Sequence, residues 1–191
     1  VSGARQRAVR GDGDRLRAEL VGSAIDLLLQ PQPAQAPSLR AIARSCGVAP
    51  SAVYMHFDSQ EALMYAVTDE LFGRLRTALD LADVDVEPVG RLAAMIDAYL
   101  DWAQHHPGAY QLLFERPDPP PGTGIGPGLD LLDRLGSALA AVTGHRDPTA
   151  ALQAWNVLHG IASLRIHKPT APWQSTPQQD AHAIIGALIR T

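Results

Sequence analysis

Lysine is almost missing from this 191-residue chain: Lys168 stands alone beside fifteen arginines, which reads as base-composition bias rather than mechanism. Cysteine is just as scarce. Cys46 has no second thiol, so an intrachain disulfide and a cysteine-cluster metal site are both excluded. A single thiol suits a reducing cytoplasm, and nothing beside it marks it as activated. Aromatic residues make up 5% of the chain, and β-branched residues form no alternating runs, which argues against strands. No apolar run approaches the roughly 20 residues needed to cross a bilayer, so no membrane partner is expected. The first residues are arginine-rich, but Asp26 interrupts the nearest apolar stretch, Leu20–Leu29, and no signal peptide is expected. A nucleophile elbow, a glycine-rich phosphate loop and a His/Glu metal helix are absent. The expectation is therefore no enzyme, no metal and no cofactor.

The net charge of −4 argues at first against a nucleic-acid partner. Its distribution changes that. Residues 1–65 carry seven arginines against six acids, whereas the remainder carries nine basic residues against fourteen acids. A DNA-facing surface therefore belongs to the N-terminal end.

What is present is helical periodicity. Residues 1–13 read as a basic arm. Leu16, Leu20, Ala24, Leu27 and Leu28 then recur at helical spacing, and the proline-rich 31–37 ends that helix. Ser38 is a good cap for a helix at 39–45. Gly47 suits a turn, and Pro50 opens a second short helix at about 50–56. Asp58 or Ser59 caps a longer helix reaching about Ala82. After DVDVEP (83–88) come helices at about 88–106, 108–115, 129–143, 148–167 and 176–190, with PDPPPGTGIGPG (117–128) as a loop. The expected class is all-α with about nine helices. The expected organisation is an arm (1–13), a helix-turn-helix domain (14–58), a connecting helix (59–82) and a C-terminal ligand-binding and dimerisation domain (83–191).

The segment SLRAIARSCGVAPSAVYMHF (38–57) carries the most information. Leu39, Ile42, Ala43, Val48, Val53 and Phe57 can share one small core. The second helix is too short to stand alone and must pack on its neighbours. Its outer face then carries Pro50, Ser51, Ala52, Tyr54, Met55 and His56, the layout of a recognition helix in a major groove. Small residues let the backbone approach base edges, and Tyr54 and His56 can reach phosphates. For Tyr54 a packing role for the ring and an outward hydroxyl both fit; Phe57 reads as core.

These residues resemble the tetracycline-repressor-like (TetR) family, whose pattern is matched by Ser38-Leu39-Arg40-Ala41-Ile42-Ala43, Gly47-Val48 and Tyr54-Met55-His56-Phe57. The resemblance implies that Arg40 touches phosphate or a base edge and that Pro50, Ser51, Ala52 and Met55 face bases. It also implies phosphate contacts for Tyr54 and His56. Gln60 stands where the family often has lysine, which should flatten the salt dependence slightly. Arg5, Arg7 and Arg10 could compensate from the minor groove, an idea that fails if deleting residues 1–12 leaves operator affinity unchanged.

In the C-terminal half, Met95, Tyr99 and Trp102 follow one helix edge and form with Tyr110 and Phe114 a group that fits either core packing or a pocket wall. Asp97, Asp101 and His105 read as a solvated face. The helix at 148–167 is apolar nearly all round: Trp155, His159, Ala162 and Ile166 on one side, Val157, Ile161 and Leu164 on the other. His159 fits a hydrogen-bonded core histidine and is kept, with Trp155, as a pocket candidate. Ala181, Ile184, Ile185, Leu188 and Ile189 share a face of the last helix. A homodimer through 148–167 and 176–190 would cover these faces, as the family resemblance also implies. Trp155 to Gly160 resembles a Trp-x-x-x-His-Gly motif of one C-terminal class of the family. The expected function is a cytoplasmic, dimeric DNA-binding regulator, by resemblance a repressor released from a palindromic operator by a small-molecule effector. The alternative is a helical binding module without DNA function.

Overall fold

The computed structural model describes residues 12–29, 38–84, 87–115 and 128–190, and among them the chain is helical without strands. The elements are α1 (Asp12–Leu28), α2 (Leu39–Ser45), α3 (Pro50–Tyr54), α4 (Gln60–Ala82), α5 (Pro88–His105), α6 (Pro107–Phe114), α7 (Leu129–Thr143), α8 (Pro148–His167) and α9 (Pro177–Leu188). The basic arm with Arg5, Arg7 and Arg10, the proline-rich 31–37 and most of the 117–128 loop lie outside the described residues.

Local chemistry explains most boundaries. Proline opens α3, α5, α6, α8 and α9, where its missing N–H costs nothing. Ser38 Oγ accepts from the Ala41 N–H, and Ser59 Oγ from the Ala62 N–H at the head of α4. At α9 Thr176 and Gln179 form a reciprocal capping box.

Two compact units divide inside α4, between Glu70 and Leu71, rather than at the 83–88 break. A long helix whose buried positions run from Leu63 to Leu79 belongs to both cores in succession. In the first unit Leu20, Ala24, Ile25, Ile42, Ala43, Val53, Leu63 and Val67 are fully excluded from water. Val48, an expected core member, is half-buried at the turn. In the second unit α5 packs on α7, α8 and α9, and α8 on α7 and α9. Arginine–aspartate pairs brace it: Arg76 with Asp130, Arg134 with Asp80, and Arg91 with Asp83.

Candidate functional site

The turn between α2 and α3 sets the first candidate surface. Gly47 has φ +67°, the left-handed region. Its N–H donates to the Arg44 carbonyl at 3.1 Å, and Val48 N–H donates to the Ala43 carbonyl at 2.9 Å. That pair of bonds closes α2 with a Schellman motif and starts the chain toward α3. A β-carbon at this φ costs about 1–2 kcal/mol. Gly47→Val should therefore lower the thermal midpoint of a circular-dichroism melt, and an unchanged midpoint would refute the strain.

Val53 is the fully buried side chain of α3. Three of its other four residues are open to solvent. Pro50 and Ser51 are exposed, Ala52 is half-buried, Tyr54 is 55% exposed and Met55, just past the helix, 84%. A methionine that open to water lacks a core reason. Tyr54 has no packing role of the kind Phe57 has; Phe57 is buried beneath the Arg17 guanidinium, 5.0 Å from its ring centroid. Arg40 is exposed on α2, as is Gln60 at the start of α4. His56 is half-buried, and a β-carbon on Gly13 would lie 3.8 Å from its Cε1. The imidazole thus lies against the start of α1 rather than standing free. Cys46 is half-buried, with its thiol 3.7 Å from the Glu19 carbonyl.

The second candidate lies in the C-terminal unit. Tyr99 of α5, Tyr110 and Phe114 of α6, and Trp155 and His159 of α8 converge, although Tyr99 and His159 are 60 residues apart in sequence. The His159 ring centroid lies 4.5 Å from Trp155 and 4.6 Å from Phe114, both edge-on. Tyr110 Oη is 2.7 Å from His159 Nδ1, and Tyr99 Oη is 3.3 Å from the same nitrogen. Burial pushes the His159 pKa down to about 4, so the ring is neutral at pH 7. It pushes Tyr110 up to about 12, and Tyr99 also well above its usual value, so both phenols keep their protons.

One expected member is placed differently. Trp102 is buried but faces His106, 5.4 Å away, instead of the cluster. Met95 is half-buried one turn before Tyr99. One member was missed: Phe72 of α4 stacks edge-on against Phe114 at 5.6 Å. Its ring is pressed so close to Gly128 that a β-carbon there would lie 3.1 Å from it. No local pattern marks Phe72, because it reads as one more apolar position of a long helix. The polar side of α5 stays largely open to water, with Asp101 and His105 exposed, and α9 reaches it at two points. Asp97 receives a hydrogen bond from His182 Nε2 at 2.7 Å, and Asp101 one from Gln178 at 2.7 Å.

The outer side of α8 and α9 remains uncovered. Leu152, Leu164 and Ile184 are 50%, 52% and 49% exposed. Ile184 therefore departs from the face it was expected to share with buried Ala181 and Ile185. Leu152, Asn156, Gly160 and Leu164 form a stripe at four-residue spacing, and all four are exposed. Arg165 ties the two helices together through Asp180 at 2.7 Å and sits 4.0 Å from the Trp173 ring centroid. The Ser175 hydroxyl and Arg165 hold the Asp180 carboxyl below its usual range.

Among the described residues no helix is long and apolar enough to cross a membrane. Two family models match the chain: "Bacterial regulatory proteins, tetR family" over residues 27–67 and "Tetracyclin repressor-like, C-terminal domain" over residues 92–188. An uncharacterized HTH-type transcriptional regulator of Mycobacterium tuberculosis is 28% identical over 137 residues, 68% of this chain. The match spans 61% of that relative's length. A protein of unknown function from Rhodococcus sp. RHA1 superposes with a TM-score of 0.74 at 24% identity, over 99% of this chain and 98% of the other. A tetR-family transcriptional regulator from Streptomyces coelicolor gives 0.64 at 19% identity, over 96% and 89%. At such identities the likeness is one of fold.

Proposed function

The chain belongs to the tetracycline-repressor-like family of bacterial regulatory proteins, and on that premise we propose that it is a dimeric, operator-binding transcriptional regulator whose C-terminal unit senses a small molecule. The observation that carries the DNA-binding half is α3. It is anchored by Val53 alone and turns Ser51, Tyr54 and Met55 to solvent. A helix held by one buried residue offers the rest of its surface to a groove. Arg40 supplies charge beside it, and the small side chains of Ser51 and Ala52 allow close approach to base edges.

Dimerisation is supported by the exposed apolar stripe of α8 and by Ile184. A second copy using the same faces makes a self-complementary four-helix contact. It also supplies two reading heads for a palindromic site, whose half-sites lie about 34–36 Å apart. The effector reading is supported by the aromatic cluster around His159, and its action is a population shift between dimers that match this spacing and dimers that do not. Repression in the cytoplasm is the mode the family favours.

Arg40→Ala and Tyr54→Ala should each weaken operator binding by roughly 1–3 kcal/mol. Both side chains are exposed, so folding should be unaffected. The measurement is a gel-shift titration against the DNA flanking the protein's own gene. Undiminished binding by both variants would sink the assignment of this surface. If the wild-type chain binds neither that DNA nor any species selected from a random pool, the chain is a helical binding module instead.

A further inference from the structure

Among the described residues, His159 offers one ring nitrogen to the protein and leaves the other without a hydrogen-bond partner. Among those residues the hydrogen bonds of its ring run through Nδ1, on which the hydroxyls of Tyr110 and Tyr99 converge. Tyr110 Oη also lies 3.3 Å from the His159 carbonyl, but Nδ1 at 2.7 Å is nearer and the better base, so we assign that contact as O–H···N with the lone pair on Nδ1. The ring proton then resides on Nε2. Among the described residues no acceptor faces Nε2, and no side-chain nitrogen or oxygen is both sealed from solvent and unpartnered. Nε2–H is therefore an open donor, on a ring flanked edge-on by Trp155 and Phe114.

We propose that the effector is a neutral, planar, largely apolar molecule that presents a carbonyl or ring-nitrogen acceptor to His159 Nε2, and that Tyr110 and Tyr99 are positioning residues that fix the tautomer making this choice. The proposal rests on the reading of the aromatic cluster as the effector site. A donor-only ligand would meet N–H with N–H, leaving a desolvated donor unpaired. An anion would lose its hydration to a neutral ring. The lowered His159 pKa agrees with this, since a protonated ring would prefer anions near neutral pH.

Three bicyclic probes of matched size test it by equilibrium dialysis against the full chain at neutral pH: quinoline has an acceptor, indole a donor and naphthalene neither. Quinoline should bind about tenfold tighter than the other two, the most that one neutral hydrogen bond usually supplies. His159→Phe should retain an aromatic site while binding all three within about twofold. Nitrogen-15 spectra of histidine-labelled wild-type protein, which need no variant, should show His159 as the Nε2–H tautomer, and Tyr110→Phe should mix the tautomers. Equal binding of all three probes by the wild type, or an Nδ1–H tautomer, would overturn the acceptor rule and leave the effector site standing. Binding of none by the folded wild type would remove the site and the rule together.

Discussion

Acidification from pH 6.5 to pH 4 should destabilise the C-terminal unit by about 2–3 kcal/mol, and His159→Phe should remove most of that slope. The imidazole has a pKa of about 4 in the folded chain against its usual 6.5, because burial disfavours the cation. Between these values the unfolded chain binds the proton and the folded chain does not. Stability is therefore complete above pH 6.5 and falls as pH drops toward 4. The shift alone corresponds to roughly 3 kcal/mol, and the half-buried position of the ring trims it. His106, also lowered by burial, titrates in the same direction and should account for a residual slope in the variant. Asp130 and Asp180, lowered from 3.8 by hydrogen bonds to Arg76 and to Ser175 with Arg165, lose their contribution only at lower pH. All three tryptophans, Trp102, Trp155 and Trp173, lie in the C-terminal unit. Urea unfolding followed by tryptophan fluorescence across this pH range therefore reads that unit alone. Parallel slopes for wild type and His159→Phe would show that the ring is not the titrating group.

The double variant Leu164→Glu with Ile184→Glu should be monomeric and should lose at least about a hundredfold in operator affinity. Both side chains are half-exposed in the single chain, so its fold should survive the change. In a two-fold interface each substitution counts twice, and four carboxylates enter an apolar seam. Burying an unpaired carboxylate costs several kcal/mol, more than the apolar contacts return. The affinity loss follows because a monomer brings one reading head where a dimer brings two. Gly160 sharpens the geometry. Nothing lies within 4 Å of the β-carbon it lacks, so it leaves a bare spot midway along the stripe. Sedimentation equilibrium and a gel shift on the same samples provide the check. A dimer that persists in the double variant would move the interface elsewhere.

Particular residues show where sequence reading reached and where it stopped. Pro50, Pro88, Pro107, Pro148 and Pro177 mark helix starts because their effect is confined to one turn of backbone. Ser38 and Gly47 mark the ends of α2 for the same reason. The outward face of α3 was also readable, since five residues anchored by Val53 leave no other choice. Phe72 was not, nor was the His182–Asp97 bond, because their partners are 42 and 85 residues away. Trp102 and Ile184 share the periodicity of their helices, yet Trp102 faces His106 and Ile184 faces solvent. A repeat identifies a stripe, but the crossing helix decides which edge of it is covered.

The helix-turn-helix was settled by sequence alone, because capping, glycine turn chemistry and the burial of Leu39, Ile42, Val53 and Phe57 act over fewer than twenty residues. Tertiary structure alone decided that two tyrosines on α5 and α6 converge on one nitrogen of His159. It alone left the stripe from Leu152 to Leu164 without cover. Which polar atoms find partners, and which apolar atoms do not, depends on how distant helices pack, and no local pattern encodes that.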